Sequence, residues 1–383
     1  MEKNNKNLNV PNLRFPEFSG EWERCKVKDF TKVVAGATPS TSNKEYWGGD
    51  IRWMNSGELN LKRVCEVQGR ITQLGYEKTS TKIIPPQSVL IGLAGQGKTR
   101  GTAAINYVEL CTNQSIASIL PSDKYYPEFL YQNIESRYKE LRDISSGDGG
   151  RGGLNLQMIY NLNIPYCSIS EQRKIGDFLC LLDQRIETQR KIIEKYESLI
   201  RGLYQLLFQN AKYNDFISLG DISQISNGNS DVKDASMNND GSLYPFFDRS
   251  DEIKFLPEYL FDKEAIIYPG EGAEFYPRYY NGKFALHQRC YAIYDISTDF
   301  IPRYLYHYCK TQNSYFVRNA VGSTVASLRL DTFKRLKIPA IPTHHQESLV
   351  MFLDKIEAKI ECNRTILKKY EDQKKYLLST LFI

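Results

Sequence analysis

Two stretches of this chain place apolar residues at alternating spacings of four and three. In the first these are Ile175, Leu179, Leu182, Ile186, Ile193, Tyr196, Ile200, Leu203 and Leu207; in the second they are Leu349, Leu353, Ile356, Ile360, Leu367, Tyr370, Leu377 and Leu381. That rhythm is the seam of a coiled coil. One seam position is polar in both stretches, Gln189 and Asn363; a buried amide there costs stability but sets register. Lys374 stands where the first stretch has Ile200, a weak spot in the second seam. Each helix, from Glu171 or His345 onward, is expected to run 38 residues, about 57 Å at 1.5 Å per residue. A stripe this long needs a cover. Sustained heptads favour helix-on-helix pairing over each helix lying on its own globule, and the partner is either the other copy or another chain.

The two helices belong to one segment written twice. Residues 162–208 and 336–382 align without a gap, 174 positions apart: Leu162-Asn-Ile-Pro165 returns as Leu336-Lys-Ile-Pro339, Gln172 as Gln346, Lys195-Tyr196-Glu197 as Lys369-Tyr370-Glu371. A repeat of this length makes the chain two half-molecules, each a globule followed by a long helix. In the first globule, residues 88–93, 101–108 and 115–120 read as strands, 128–142 as a helix, and 147–153 as a Gly-rich loop. The second globule, about 216–339, keeps only anchors of this plan. Asn113-Gln114 matches His287-Gln288, Leu130-Tyr131 matches Leu305-Tyr306, and Leu154 and Leu156 match Leu328 and Leu330. The loops between the anchors have diverged.

Composition narrows the class. At 383 residues the chain suits two or three domains rather than one core. A net charge of +5 is compatible with nucleic acid without requiring it, and 26 Tyr, 18 Phe and 3 Trp favour β-rich globules with interaction surfaces. The cysteines form no Cys-x-x-Cys pair, which points to reduced thiols and a cytoplasmic location. No apolar leader and no 18-residue apolar run are present, so secretion and membrane spanning are not expected.

Several strings imitate catalytic motifs. Gly92-Leu-Ala-Gly-Gln-Gly97-Lys98-Thr99 fits the phosphate-loop pattern, but Gly101 and a β-like run follow where a helix must start. A Gly-rich basic hairpin tip is the better reading. Asn163-Ile-Pro-Tyr166 differs at its second residue from the tetrapeptide by which amino-methyltransferases hold a base, and no methyl-donor loop precedes it. Asp251-Glu-Ile-Lys254 lacks a partner carboxylate, and His287, His307, His344 and His345 have no metal-ligand spacing. No catalytic residue and no metal site follow from these strings. What remains are polar, basic loops on both globules, whose side chains suit phosphates and base edges but also suit solvent.

The chain resembles the specificity subunit of type I restriction–modification enzymes. The resemblance rests on Pro11-Asn-Leu-Arg-Phe-Pro-Glu17-Phe-Ser-Gly20-Glu-Trp22, on Gly36-Ala-Thr38-Pro39-Ser40, on Asn113-Gln114, and on the duplicated Ile-Pro with its Gln-led heptad helix. The second half departs from the pattern, with Gly228-Asn229-Ser230 for Gly-Ala-Thr-Pro and His345 for Glu171. The resemblance implies two α/β (α+β) target recognition domains in pseudo-symmetric repeat, separated by an antiparallel coiled coil of two long helices. The expected divisions are an arm (1–20), domain 1 (21–165), helix 1 (166–212), domain 2 (213–340) and helix 2 (341–383). Each domain would read half of a bipartite site in double-stranded DNA, and a helix pair of about 57 Å suits major-groove faces that recur every 34–36 Å. Two modification subunits would dock on the helices, where Arg173, Lys174, Glu187 and Glu194 lie outside the seam, and restriction subunits would join them. S-adenosylmethionine, ATP and Mg would sit on those partners and none on this chain. DNA contacts are expected from Thr38, Ser40, Lys44, Lys98, Arg100 and Arg151, and from Asn229, Lys233, Arg278, Tyr280, Lys283 and Thr324. The competing class is a coiled-coil scaffold that binds proteins and no DNA.

Overall fold

The structure, a computed structural model, describes residues 9–95, 99–145, 152–209, 213, 215–239 and 241–383. It comprises two compact units, Met1–Arg190 with Ile366–Ile383, and Lys191–Thr365. The division cuts through both long helices, so each unit owns part of each helix.

In unit 1 a five-stranded sheet holds β1 (Val33–Ala35), β2 (Arg63–Val64), β3 (Val89–Gly92), β4 (Ala103–Asn106) and β5 (Ile116–Ile119), in the order β1-β5-β3-β4-β2. Strand β3 is continuously apolar because both of its faces are covered. Val89 and Ile91 enter the core with Phe129 and Ile175, whereas Leu90 packs with Met54 and Ile84. Unit 2 repeats the plan with β6 (Gln224–Asn227), β7 (Tyr244–Phe247), β8 (Lys254–Leu256), β9 (Phe261–Pro269), β10 (Arg278–Leu286) and β11 (Cys290–Tyr294), ordered β6-β11-β9-β10-β7-β8. Its central β9 divides likewise, Ile266 and Tyr268 to one core and Ala265 and Ile267 to the other. In both units the next strand out runs parallel: Arg63 opposite Ile105, Phe246 opposite Ala285. The mixed α/β repeat thus extends through sheets whose sequences barely align.

Four helices complete the frame: α1 (Pro127–Ser136), α2 (Ile169–Tyr204), α3 (Pro302–Lys310) and α4 (Thr343–Thr380). The single helix expected over 128–142 is two, since Arg137 (φ −94°, ψ 16°) leaves the helical region between Ser136 and Tyr138. The long helices begin two residues before the expected starts, and α2 ends in a π-helical turn, Gln205–Gln209. A buried glutamine anchors each one. Gln172 accepts from Tyr126 N at 2.8 Å and donates to Lys124 O and Cys167 O at 3.2 and 2.9 Å. Gln346 does the same with Ile301 N, Asp299 O and Ile341 O at 2.8, 2.9 and 2.9 Å. Tyr126 and Ile301 precede α1 and α3 and offer no side-chain cap of their own, so the glutamine supplies the acceptor that a helix start requires.

Along the seam Ile175, Leu179, Leu182, Ile186, Gln189 and Ile193 are buried, as are Leu353, Ile356 and Ile360, while Leu349, Asn363 and Leu367 are half-buried. They do not choose between globule and helix. In unit 1, Ile175 to Ile186 share one core with Tyr125 and Phe129 and with Leu377 and Leu381 of α4; in unit 2, Leu353, Ile356 and Ile360 share theirs with Tyr304 and with Ile200 of α2. The helices run antiparallel: within unit 1, Arg190 meets Glu371 at 2.6 Å and Asp183 meets Lys374 at 2.6 Å. The repeat-equivalent pair, Arg364 with Glu197 at 2.7 Å, recurs within unit 2. Lys374 is no weak spot: it is 12% exposed and bridges Asp183 and Glu135, the latter at 2.7 Å.

The arm belongs to unit 1. Arg14 clamps Glu171 with two bonds of 2.7 and 2.8 Å, Trp22 Nε1 adds a third at 3.2 Å, and Phe15 meets Phe178 edge-on at 5.7 Å. Glu171 is thereby buried, whereas His345 at the equivalent position is exposed, its ring tilted against that of His344. The arm also covers part of the expected docking face, since Lys174 reaches Glu17 at 3.3 Å and lies over the Phe15 ring. All eight cysteines carry free thiols, and among the described residues no helix is long and apolar enough to cross a membrane.

Candidate nucleic-acid interface

The two divergent loop strings sit at the same place on the same sheet. A Cβ on Gly36, just past β1, would lie 1.9 Å from Thr112 O; a Cβ on Gly228, just past β6, would lie 1.9 Å from Leu286 O. Only glycine permits this approach, and in each unit it brings the loop against the residue that precedes Asn113-Gln114 or His287-Gln288. Unit 1 closes the contact with a side-chain bond, Thr38 Oγ1 to Gln114 Oε1 at 2.5 Å. Unit 2 uses backbone: Asn229 N and Ser230 N donate to Leu286 O, and Gln288 N donates to Ser230 O at 3.0 Å. The strings differ in letters and agree in physics.

Around this turn unit 1 exposes Thr38, Ser40 and Lys44. Ser40 anchors its loop by accepting from Trp47 Nε1 at 3.1 Å, and Asn43 caps the short helical turn that carries Lys44. The strands on either side of the phosphate-loop look-alike pair antiparallel, with Leu90 of β3 opposite Ala104 of β4, and no helix follows Thr99 among the described residues before α1. A Cβ on Gly92 would strike Thr99 O at 2.0 Å, so the glycine serves the hairpin neck. Arg100 is half-buried and ties to Gly152 O. Lys98 and Arg151 lie outside the described residues.

Unit 2 exposes Asn229 and Lys233 beside the turn and Thr324 on a hairpin closed by the Val321–Ser327 bridge. Three more of the expected contacts bond or pack within the unit, Lys283 while exposed. Arg278 donates to Ser250 O and meets Asp251 at 3.6 Å, Tyr280 packs on Phe247 and Phe284, and Lys283 lies over the Tyr259 ring at 4.8 Å. Residues outside the expected set also lie at the turn: a cleft of about 260 Å³ is lined by Asp231, Asp248, Arg249, Glu271, Gln288 and Arg289. Asp248 is held below the usual carboxylate range, because bonds from Lys254 and Ser250 outweigh its burial. The signal that could have found this cleft was the matched Asn-Gln and His-Gln anchor itself.

Folding also gathers His307, Asp354 and Glu357, which sequence spacing does not. Their ligand atoms lie within 4.8 Å of one another, yet each is already engaged. His307 Nε2 meets Asp354 at 2.8 Å and its Nδ1 meets Tyr204 Oη at 2.9 Å, while Arg303 and Lys310 neutralise Asp354 and Glu357. Burial lowers the His307 pKa against the opposing pull of both carboxylates. Glu357 is lowered in turn, Lys310 and His307 outweighing its burial. The donor set is that of a closed ion-pair network, with no cation site to spare.

The chain thus combines a duplicated sheet unit, an antiparallel helix pair and polar turns seated at matching sheet positions. The chain belongs to the family of the type I restriction modification DNA specificity domain, whose model matches residues 19–197 and again 212–371. Among relatives, it is 31% identical over 232 residues to the MjaIX specificity subunit of Methanocaldococcus jannaschii, covering 54% of this chain and 53% of that one. It is 28% identical over 177 residues to the HindI specificity subunit of Haemophilus influenzae, covering 44% and 38%. The EcoR124I/EcoR124II specificity subunit of Escherichia coli matches at 26% over 203 residues, covering 49% and 50%. The chain spans about half the length of the curated relatives it matches, or less. Among solved structures, the type I S subunit from M. genitalium superposes with a TM-score of 0.70 at 15% identity, over 98% of this chain and 99% of that one. A chain from a study of complex assembly and conformational transition in the type I R-M system gives 0.53 at 14% identity, over 94% and 97%. These two share the fold.

Proposed function

We propose that this chain is the DNA-recognition subunit of a type I restriction–modification complex, non-catalytic by itself, with each unit reading one half of a bipartite site. One observation carries the reading: both units present a glycine-seated turn at the same sheet position, and beyond the shared Gln114 and Gln288 the side chains around it differ. A common scaffold with unlike readers is what an asymmetric two-part site demands, since phosphate contacts position a protein and base contacts specify the sequence. Thr38, Ser40 and Lys44 in unit 1, and Asn229, Lys233 and Thr324 in unit 2, are exposed where such contacts would form. The paired helices would carry two modification subunits holding S-adenosylmethionine, with ATP and Mg on restriction subunits, all in the cytoplasm.

Methylome sequencing of the native host with and without this chain tests the proposal. A bipartite motif whose adenine methylation disappears with the chain is the expected result. Unchanged methylation, together with no retention of duplex DNA by the chain in low-salt filter binding, would favour the protein-binding scaffold instead.

A further inference from the structure

Arg289 immediately precedes β11, directly after the His287-Gln288 anchor, and its repeat counterpart is Ser115. The backbone on which it stands is closely packed. A Cβ on Gly270 would lie 1.8 Å from Arg289 O, so the end of β9 and the start of β11 touch as closely as backbone allows. The next residue, Glu271, is bridged to Ser327, and Gly272 N donates to Ala326 O at 3.0 Å. From this fixed point Glu271 receives Nη1 of Arg289 on both carboxylate oxygens, at 2.9 and 2.9 Å. Nε and Nη2 of Arg289 have no partner among the described residues, and the side chain is 63% exposed at the mouth of the cleft. Gln288 is turned beside it toward Asp231 at 3.4 Å.

An arginine in this state is poorly built to neutralise phosphate. Its charge is already compensated by Glu271, and that carboxylate repels the backbone of DNA. It is well built to read a base. Guanine offers two acceptors, O6 and N7, on its major-groove edge, and the fork of a guanidinium matches them. Ordering a free arginine costs side-chain entropy, which Glu271 has already removed. We propose that Arg289, oriented by Glu271, reads a guanine in the half-site of unit 2 and is a specificity determinant that unit 1, with Ser115, lacks. This rests on the DNA-recognition reading above.

The test compares methylated motifs and binding for the wild-type complex and for Arg289→Ala, Arg289→Lys and Glu271→Gln. Arg289→Ala is expected to make one G·C position degenerate in one half-site only. Cognate binding should fall about 5- to 150-fold, with the salt dependence of non-specific binding unchanged. Arg289→Lys keeps the charge and loses the fork, so it should lose the same guanine while thermal unfolding stays at the wild-type midpoint. Glu271→Gln should weaken the discrimination without abolishing it. An unaltered motif in Arg289→Ala overturns the proposal. So does a uniform loss across all sequences with the salt slope reduced by about one, which marks a phosphate contact. If the wild-type complex itself yields no motif, the DNA-recognition reading fails and takes this one with it.

Discussion

Gln172 and Gln346 each satisfy three backbone groups from inside the protein, with 0% exposure in both cases. Gln346→Ala leaves Ile301 N, Asp299 O and Ile341 O without partners, and an unsatisfied buried group costs about 1–3 kcal/mol. The expected result is a loss of at least about 2 kcal/mol by that principle, read as a lower urea midpoint with an unchanged slope. Gln346→Glu should be no better, because a carboxylate cannot donate to the two carbonyls. At the same scale His307 makes unit 2 sensitive to acid. Burial lowers its pKa below the ordinary 6.5. As pH falls through that value the unfolded chain takes up a proton and the folded one does not, so the stabilisation present above it is lost below. The slope is at most about 1.4 kcal/mol per pH unit. Asp354 and Glu357, both lowered, act in a separate window, losing their contribution only as pH falls through the carboxylate range. His307→Gln, which installs the residue unit 1 has at Gln132, should flatten unfolding midpoints between pH 7 and 5.5 and leave the more acidic limb in place. Neither residue's role could be read locally: the glutamines were legible only as repeat anchors, and His307 finds its carboxylates 47 positions away and more.

At the scale of elements, the heptad seam predicted long helices and the polar Gln189 and Asn363 positions, but not what fills the interface. A lysine in an apolar seam reads as a defect until Glu135, 239 positions away, is seen beside it. Burial pushes the Glu135 pKa up, and Lys374 and Lys62 more than reverse this. Removing Lys374 leaves Glu135 with Lys62 alone, at 3.4 Å, so the cost falls short of a fully stranded buried charge. Lys374→Ala should therefore destabilise unit 1 by about 1–3 kcal/mol, whereas Lys374→Ile combined with Glu135→Leu should recover most of it; thermal unfolding of both variants decides. Arg190–Glu371 is different. Both side chains are about half exposed, and its loss should cost under about 1 kcal/mol.

For the whole molecule, the duplicated architecture predicts separable specificities. Replacing residues 216–339 with the corresponding segment of a relative should change one half of the methylated motif and leave the other half intact, as methylome sequencing would show; a change in both halves would deny that the units read independently. Much of this plan was legible in the chain: the repeat, the two helices and the central strands follow from periodicity and recurrence, because burying a stripe or a strand constrains many positions at once, and the family from the resemblance of strings such as residues 11–22 and 36–40. The polar contacts inside each unit were not. Arg278 and Tyr280 bond to or pack on Ser250, Phe247 and Phe284, while exposed Arg289 pairs with half-buried Glu271, 18 positions away, at the cleft. The sequence by itself determined the two halves, their helices and their anchors, since these depend on patterns repeated along the chain. Tertiary structure alone decided which polar side chains are spent holding the protein together and which remain free, since that depends on partners that folding brings from distant positions.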